Sequence, residues 1–142
     1  MTLPLTAREL ECLRTLGRLT GTGWPAKLKA IAAELGVRPP TALELLDRLI
    51  RRGLVEKGPT GYRLSKEGGL AASKLDRAHR LLEVIFERAG LPPQKACLFS
   101  GDIGAALPDE ALNALCRLLN HPKLCPHGNP IPGEEQHAQS QP

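Results

Sequence analysis

Apolar residues recur every three or four positions through the first half of the chain, the spacing of one face of an α-helix. The first such stretch covers residues 7–19, and Thr6 with Glu9 three residues later predicts a capping box at its start. A second stretch begins near residue 28 and stops at Gly36, and a third runs from Pro40 to Arg52. The pattern predicts three short helices, with a tight turn between the second and the third.

The pattern then changes to two short strands. Residues 54–57 and 61–64 are strand-like, and a Gly-Pro-Thr turn at 58–60 separates them. Three helices followed by a hairpin are the sequence signature of a winged helix-turn-helix, whose commonest use is reading duplex DNA.

The second half of the chain predicts further helices. Their ranges are about 66–89, 93–105 and 108–120. We therefore expect a mostly α chain with a small β-wing: a winged helix-turn-helix at 1–65, an all-helical dimerisation domain at 66–132, and a disordered tail at 133–142. The second domain is too small for a large core of its own, so we expect it to pack against a second copy of the chain.

Composition and charge sharpen this picture. Aromatic residues make up only 3% of the 142 residues, so the core must be built from Leu, Ala, Ile and Val. The net charge of +4 is uneven, because residues 1–67 hold 12 Lys and Arg against 7 Asp and Glu, whereas residues 68–142 hold 7 against 8. A basic first half favours a polyanion partner.

Other function classes find little support in the sequence. No apolar run approaches the ~18–20 residues that span a bilayer, and the N-terminus does not resemble a signal peptide. We therefore expect a cytoplasmic protein whose four cysteines are free thiols or metal ligands. There is no nucleophile elbow, phosphate loop or HExxH motif, so we do not expect an enzyme.

Three segments together carry a family resemblance. They are HRLLE at 79–83, the Gly-Leu pair at 90–91, and the tail HPKLCPHGNPIP at 121–132. With the winged helix before them, they resemble the diphtheria toxin repressor family, metal-dependent repressors of iron and manganese homeostasis. The resemblance implies a homodimer that binds double-stranded operator DNA when a divalent transition metal, Fe(II) or Mn(II), is bound.

The resemblance also implies DNA-binding positions. Those that read bases fall on Arg38, Pro40, Thr41, Leu43 and Glu44. Three basic residues could contact phosphate: Arg48 on the third helix, and Lys57 and Arg63 on the wing.

Glu44 has two interpretations. Its carboxylate could accept a hydrogen bond from a cytosine amino group, or it could be a solvated helix residue paired with Arg48 four residues on.

The metal sites depart from the family pattern. The family's primary site has a Glu-His pair on the helix after Leu91. Aligned without gaps, its ligand positions there fall on Gly101, Gly104 and Ala105, whose side chains cannot bind a metal. Aligned instead on Ala96-Cys97, the Glu-His positions fall on Ser100 and Gly101, so the pair is missing either way. Glu11 alone remains from that site.

The family's second metal site, called the ancillary site, keeps side chains that can bind a metal. His79 and Glu83 are four residues apart on one helix face, and Cys97 falls where the family has another His. Together they could form a three-ligand site whose thiolate favours Zn(II). Alternatively, His79 and Glu83 are a helix-surface pair and Cys97 is a small buried hydrophobe.

Two further alternatives remain open. Cys116, Cys125 and His127 could form a thiolate metal or redox site with Cys97, although their spacing matches no closed motif. The winged helix could instead serve as a protein-interaction scaffold, because Leu43 and Glu44 are unusual on a face that reads DNA.

Overall fold

A computed structural model describes residues 4–21 and 23–133 of the chain. Its helices and strands follow in this order: α1 (Ala7–Leu19), α2 (Leu28–Leu35), α3 (Pro39–Arg51), β1 (Val55–Gly58), β2 (Gly61–Leu64), α4 (Lys66–Arg88), α5 (Pro93–Ile103), a 3-10 turn (Gly104–Ala106) and α6 (Asp109–Leu118). The expected class, helical with a small β-wing, is confirmed. No described helix is both long and apolar enough to cross a membrane.

The chain divides into two compact units, Met1–Ala72 and Ser73–Pro142, so the division lies inside α4. The domain boundary expected at 65/66 remains a prediction. The expected disordered tail lies, apart from Gly133, outside the described residues.

The first unit is held together by an apolar core between α1, α2, α3 and the wing. Its buried members are Cys12, Leu13, Leu16, Ala26, Ile31, Leu35, Leu45, Leu46, Leu49, Val55 and Tyr62. The predicted capping box is present, because the Glu9 amide donates to Thr6 Oγ1 at 3.2 Å and the Thr6 amide donates to Glu9 Oε2 at 2.8 Å. The helical spacing of apolar residues in the sequence matches this core, because the leucines of α1, α2 and α3 lie on the buried faces of their helices.

The wing is a two-stranded antiparallel sheet in which Val55 pairs with Leu64 and Gly58 with Gly61. A bridge to Ala26 extends it, since the amides of Ala26 and Tyr62 each donate to the other's carbonyl at 2.8 Å. The wing is thus fastened to the segment before α2.

The second unit has a smaller apolar cluster between α4, α6 and the C-terminal loop. Its buried members are Ala78, Leu81, Val84, Leu112, Cys116 and Leu119, with Ile131 of the loop packed against them. The helix predicted at 93–105 ends at Ile103 and continues as a 3-10 turn, and the one predicted at 108–120 is shorter, ending at Leu118.

Candidate metal centre and DNA-reading face

The outer face of α3 is exposed, and so are Lys57 and Arg63 on the wing. Every residue predicted to contact DNA lies on exposed surface of the first unit: Arg38, Pro40, Thr41, Leu43, Glu44, Arg48, Lys57 and Arg63. Apolar Ala42, Leu45, Leu46 and Leu49 face the core instead. The helix therefore offers its polar face to a partner and keeps its apolar face for folding.

Acidic neighbours partly neutralise that face. Arg48 Nη2 donates to Glu44 Oε1 at 2.6 Å, so the helix pair considered in the sequence is formed. On the wing, Arg63 donates to Glu56 at 3.2 Å, while the Lys57 ammonium lies 5.8 Å from the Tyr62 ring centroid. A polyanion would compete with Glu44 and Glu56 for these arginines.

In the second unit, the three metal ligands predicted from the ancillary site come together. His79 and Glu83 lie one turn apart on α4, and Cys97 lies on α5. His79 Nε2 is 2.6 Å from Glu83 Oε1 and 3.5 Å from Cys97 Sγ. His79 and Glu83 are buried, so they are not the solvated surface pair of the alternative interpretation.

A close approach of the 3-10 turn to α4 positions this group. A Cβ built on Gly104 would lie 3.0 Å from Ala78 Cβ and 3.3 Å from the His79 amide nitrogen. The 3-10 turn after α5 therefore packs directly on the α4 backbone beside His79, and a glycine at position 104 permits this close approach.

A second donor group shares the Glu83 carboxylate. Glu83, Cys125 and His127 each offer a ligand atom, and these atoms lie within 4.8 Å of one another, as do those of His79, Glu83 and Cys97. His127 Nδ1 lies 2.9 Å from Glu83 Oε2, within hydrogen-bonding distance. Cys125 is buried and His127 is exposed.

The loop that carries Cys125 and His127 is fixed at both ends. Leu124 and Pro130 form an isolated antiparallel bridge, and the Cys125 amide donates to the Asn129 carbonyl at 2.9 Å. Arg80, next to His79 on α4, donates to the Pro130 carbonyl. The Arg80–Pro130 contact joins residues 50 apart in sequence, so spacing alone could not predict the second group.

The nitrogen–sulfur separation in the first group fits a transition metal, whereas His79 Nε2 and Glu83 Oε1, at 2.6 Å, are at hydrogen-bonding distance and would have to move apart to bind one ion. A tetrahedral zinc with Zn–S of about 2.3 Å and Zn–N of about 2.0 Å holds sulfur and nitrogen roughly 3.5 Å apart. The Cys97 sulfur and the His79 nitrogen already have that separation, at 3.5 Å. A buried carboxylate beside imidazole and thiol also supplies the negative charge that a divalent ion requires.

The remaining predicted residues lie elsewhere. Glu11 is on α1 in the first unit, where it pairs with Arg8 at 3.2 Å, and its place in a metal site remains a prediction. Cys116 packs in the apolar cluster, with its sulfur 3.5 Å from His121 Nδ1, and belongs to neither donor group found among the described residues. The single site combining it with Cys97, Cys125 and His127 is therefore not formed.

Comparison with known proteins identifies the family. Residues 4–63 match the iron dependent repressor N-terminal DNA binding domain, and residues 65–133 match the iron dependent repressor metal binding and dimerisation domain. The chain belongs to the iron-dependent repressor family. Its resemblance to the diphtheria toxin repressors is thereby confirmed.

Relatives agree with this assignment. The chain is 33% identical over 138 residues to an uncharacterised HTH-type transcriptional regulator of Aeropyrum pernix, covering 94% of this chain and 77% of that one. It is 30% identical to the iron-dependent repressor IdeR of Mycobacterium tuberculosis, covering 85% of this chain and 54% of IdeR. The solved structure of the manganese regulator SloR superimposes with a TM-score of 0.78 at 30% identity, covering 94% of this chain and 61% of SloR. The chain thus spans about half the length of IdeR.

Proposed function

We propose that this chain is a transcriptional regulator that binds operator DNA as a homodimer and responds to a divalent transition metal held by His79, Glu83 and Cys97. The observation that carries the proposal is the N, O and S donor group, in which His79 and Glu83 are buried and Cys97 is partly buried, and which lies in the part of the chain that matches the metal-binding domain. The proposal includes cytoplasmic location and no catalytic step.

The three donors should bind Zn(II) more tightly than Mn(II). Thiolate is a soft ligand that zinc and other late transition metals prefer, whereas manganese prefers carboxylate and water. Fe(II) is intermediate and remains within the proposed class. The glycines at 101 and 104 supply no donor for the family's other site, so we propose that sensing rests on the second unit's own residues.

DNA binding would use the exposed face of α3 in the major groove and the wing along the backbone. Arg38 and Thr41 supply donors at the start of the helix, and Lys57 supplies a cation at the hairpin. Two copies would present two such faces to an operator with two half-sites.

A gel-shift titration on operator fragments selected from random DNA tests the proposal. We expect specific binding that strengthens at least tenfold with Zn(II) or Fe(II) and weakens when a chelator is added. His79→Ala should abolish the metal response, whereas His121→Ala, a histidine outside both donor groups, should keep it. Metal-independent binding would show that the sensing role is wrong, although the DNA-binding role would stand.

The salt dependence separates this function from a protein-interaction scaffold. A DNA-binding dimer releases counterions, so the logarithm of its affinity should fall steeply and linearly with the logarithm of salt concentration. A weak affinity with a flat salt dependence would favour the scaffold that Leu43 and Glu44 suggest.

A further inference from the structure

The Glu83 carboxylate faces two different histidines. Its Oε1 is 2.6 Å from His79 Nε2, and its Oε2 is 2.9 Å from His127 Nδ1. Each histidine lies in a separate donor group with its own cysteine, Cys97 in one and Cys125 in the other. Glu83 is the residue that the two groups share.

We propose that Glu83 is a bridging ligand whose two oxygens hold two divalent metal ions side by side, one completed by His79 and Cys97 and the other by Cys125 and His127. This inference rests on the metal-binding function proposed above and extends it from one ion to a pair. The structure brings the five side chains together in two groups, and within each group the ligand atoms lie within 4.8 Å of one another.

The separation of the donors favours two ions over one. The ligand atoms of a single tetrahedral zinc lie within roughly 3–4 Å of one another. Among the described residues, no more than three donors come within 4.8 Å of one another, and the two sets of three share only the Glu83 carboxylate. A carboxylate that uses one oxygen for each ion is a common bridge between metals about 3.5–4 Å apart.

The charges of the donors are also suited to a pair. Two thiolates and one carboxylate bring three negative charges against the four positive charges of two divalent ions. With one ion bound, the cysteine of the empty group would keep its proton, and binding of the second ion would release that proton as the thiolate forms.

The loop contacts keep the second group in position next to the first. Arg80 of α4 donates to the Pro130 carbonyl, and Ile131 packs in the apolar cluster of the second unit. Cys125 and His127 lie between these anchors and the end of α6. The second half-site is therefore fastened to the helix that carries the first.

Two ions on one carboxylate repel each other, so they should bind in two steps. In an anaerobic titration of the full chain with Co(II) or Zn(II), we expect two equivalents per chain, the second at least tenfold weaker. Cobalt should show thiolate-to-metal charge transfer from both cysteines, and the two cobalt spins should be magnetically coupled.

Variants assign each ion. Cys97→Ser and Cys125→Ser should each leave one equivalent, and Glu83→Gln should weaken both steps and remove the coupling. Cys116→Ala and Glu87→Gln are matched controls outside both groups and should keep two coupled ions. Circular dichroism of each apo variant checks that the helices are retained.

The outcomes separate the two proposals. One equivalent in the wild type, two uncoupled ions, or loss of the same single ion in both cysteine variants would overturn the bridge. If that single ion still controlled DNA binding, the proposed function would stand. A chain that binds no metal would overturn both.

Discussion

The two units use their buried volume differently. In the first unit, the buried polar residues Glu9 and Ser65 cap helices, and the rest of the buried set is almost wholly apolar. In the second, Arg77, His79 and Glu83 are buried on one helix. Burying charged and polar side chains opposes folding unless they are paired. Here Arg77 contacts Asn113, and His79 contacts Glu83, so the second unit keeps its buried polar residues by pairing them, whereas the first unit has an almost wholly apolar interior.

The largest expected effect on stability comes from a substitution that disturbs packing in the first unit. A Cβ on Gly68 would lie 1.8 Å from the Leu54 carbonyl oxygen, so backbone would have to move. We expect Gly68→Ala to lower the free energy of unfolding by about 3 kcal/mol or more, because overpacking against backbone cannot be relieved by a rotamer change. Urea denaturation followed by circular dichroism measures the change.

Gly69→Ala is the matched control, since nothing lies within 4 Å of its added Cβ. Alanine there should be neutral or should stabilise α4 by up to about 1 kcal/mol. Equal effects of the two substitutions would show that the close approach to Leu54 does not limit the first unit.

Metal should stabilise the second unit selectively. At free metal of about 100 times the dissociation constant, binding contributes roughly 2.7 kcal/mol. Hydrogen exchange followed by mass spectrometry should therefore slow in peptides from α4 and α5 that include His79 or Cys97, with little change in peptides from α3. Protection spread equally over both units, or absent from both, would contradict the assignment of the metal to the second unit.

The sequence was informative in the first unit for a physical reason. Helical period, the Thr6–Glu9 capping box and the turn at Gly36 are local features, and each is found where it was expected. The first donor group could also be predicted from the sequence, because His79 and Glu83 share a helix face and Cys97 aligns with a ligand position of the family.

The second donor group was not predictable in this way. Its position depends on the loop returning to α4 through the Arg80–Pro130 contact, which links distant parts of the chain. The Cys-x-His spacing at 125 and 127 was the one available signal, and spacing without the fold does not identify the partner, Glu83.

Alkaline pH should weaken the first unit through Cys12. Burial, with a smaller contribution from the nearby Glu11 charge, raises the pKa of this thiol from 9.0 to about 11. The thiol ionises more readily in the unfolded chain, so its contribution to stability is complete below about pH 8.5 and is lost as pH rises toward 11. Near pH 9.5 the loss should be about 1 kcal/mol.

The contribution of Cys12 can be isolated by urea denaturation. The midpoints are measured at pH 7.5 and 9.5 for the wild type and for Cys12→Ala. The variant starts less stable, because a fully buried side chain is truncated, but its decline over this pH range should be smaller by that amount. Parallel declines would show that Cys12 does not titrate differently in the two states.

The smallest expected effect on stability lies at Glu44, on the exposed face of α3 in the first unit. Both side chains of the Glu44–Arg48 pair are exposed to solvent, so Glu44→Gln should change the free energy of unfolding by less than about 0.5 kcal/mol. DNA affinity should nevertheless rise by roughly three- to tenfold, because the substitution removes a charge that repels phosphate and releases Arg48 to contact it. Glu34→Gln, an equal charge change on exposed α2, is the control. If both variants gained the same DNA affinity, the effect of Glu44 would come only from the net charge of the protein. If Glu44→Gln alone bound DNA more weakly, the Glu44 carboxylate would be accepting a hydrogen bond from cytosine.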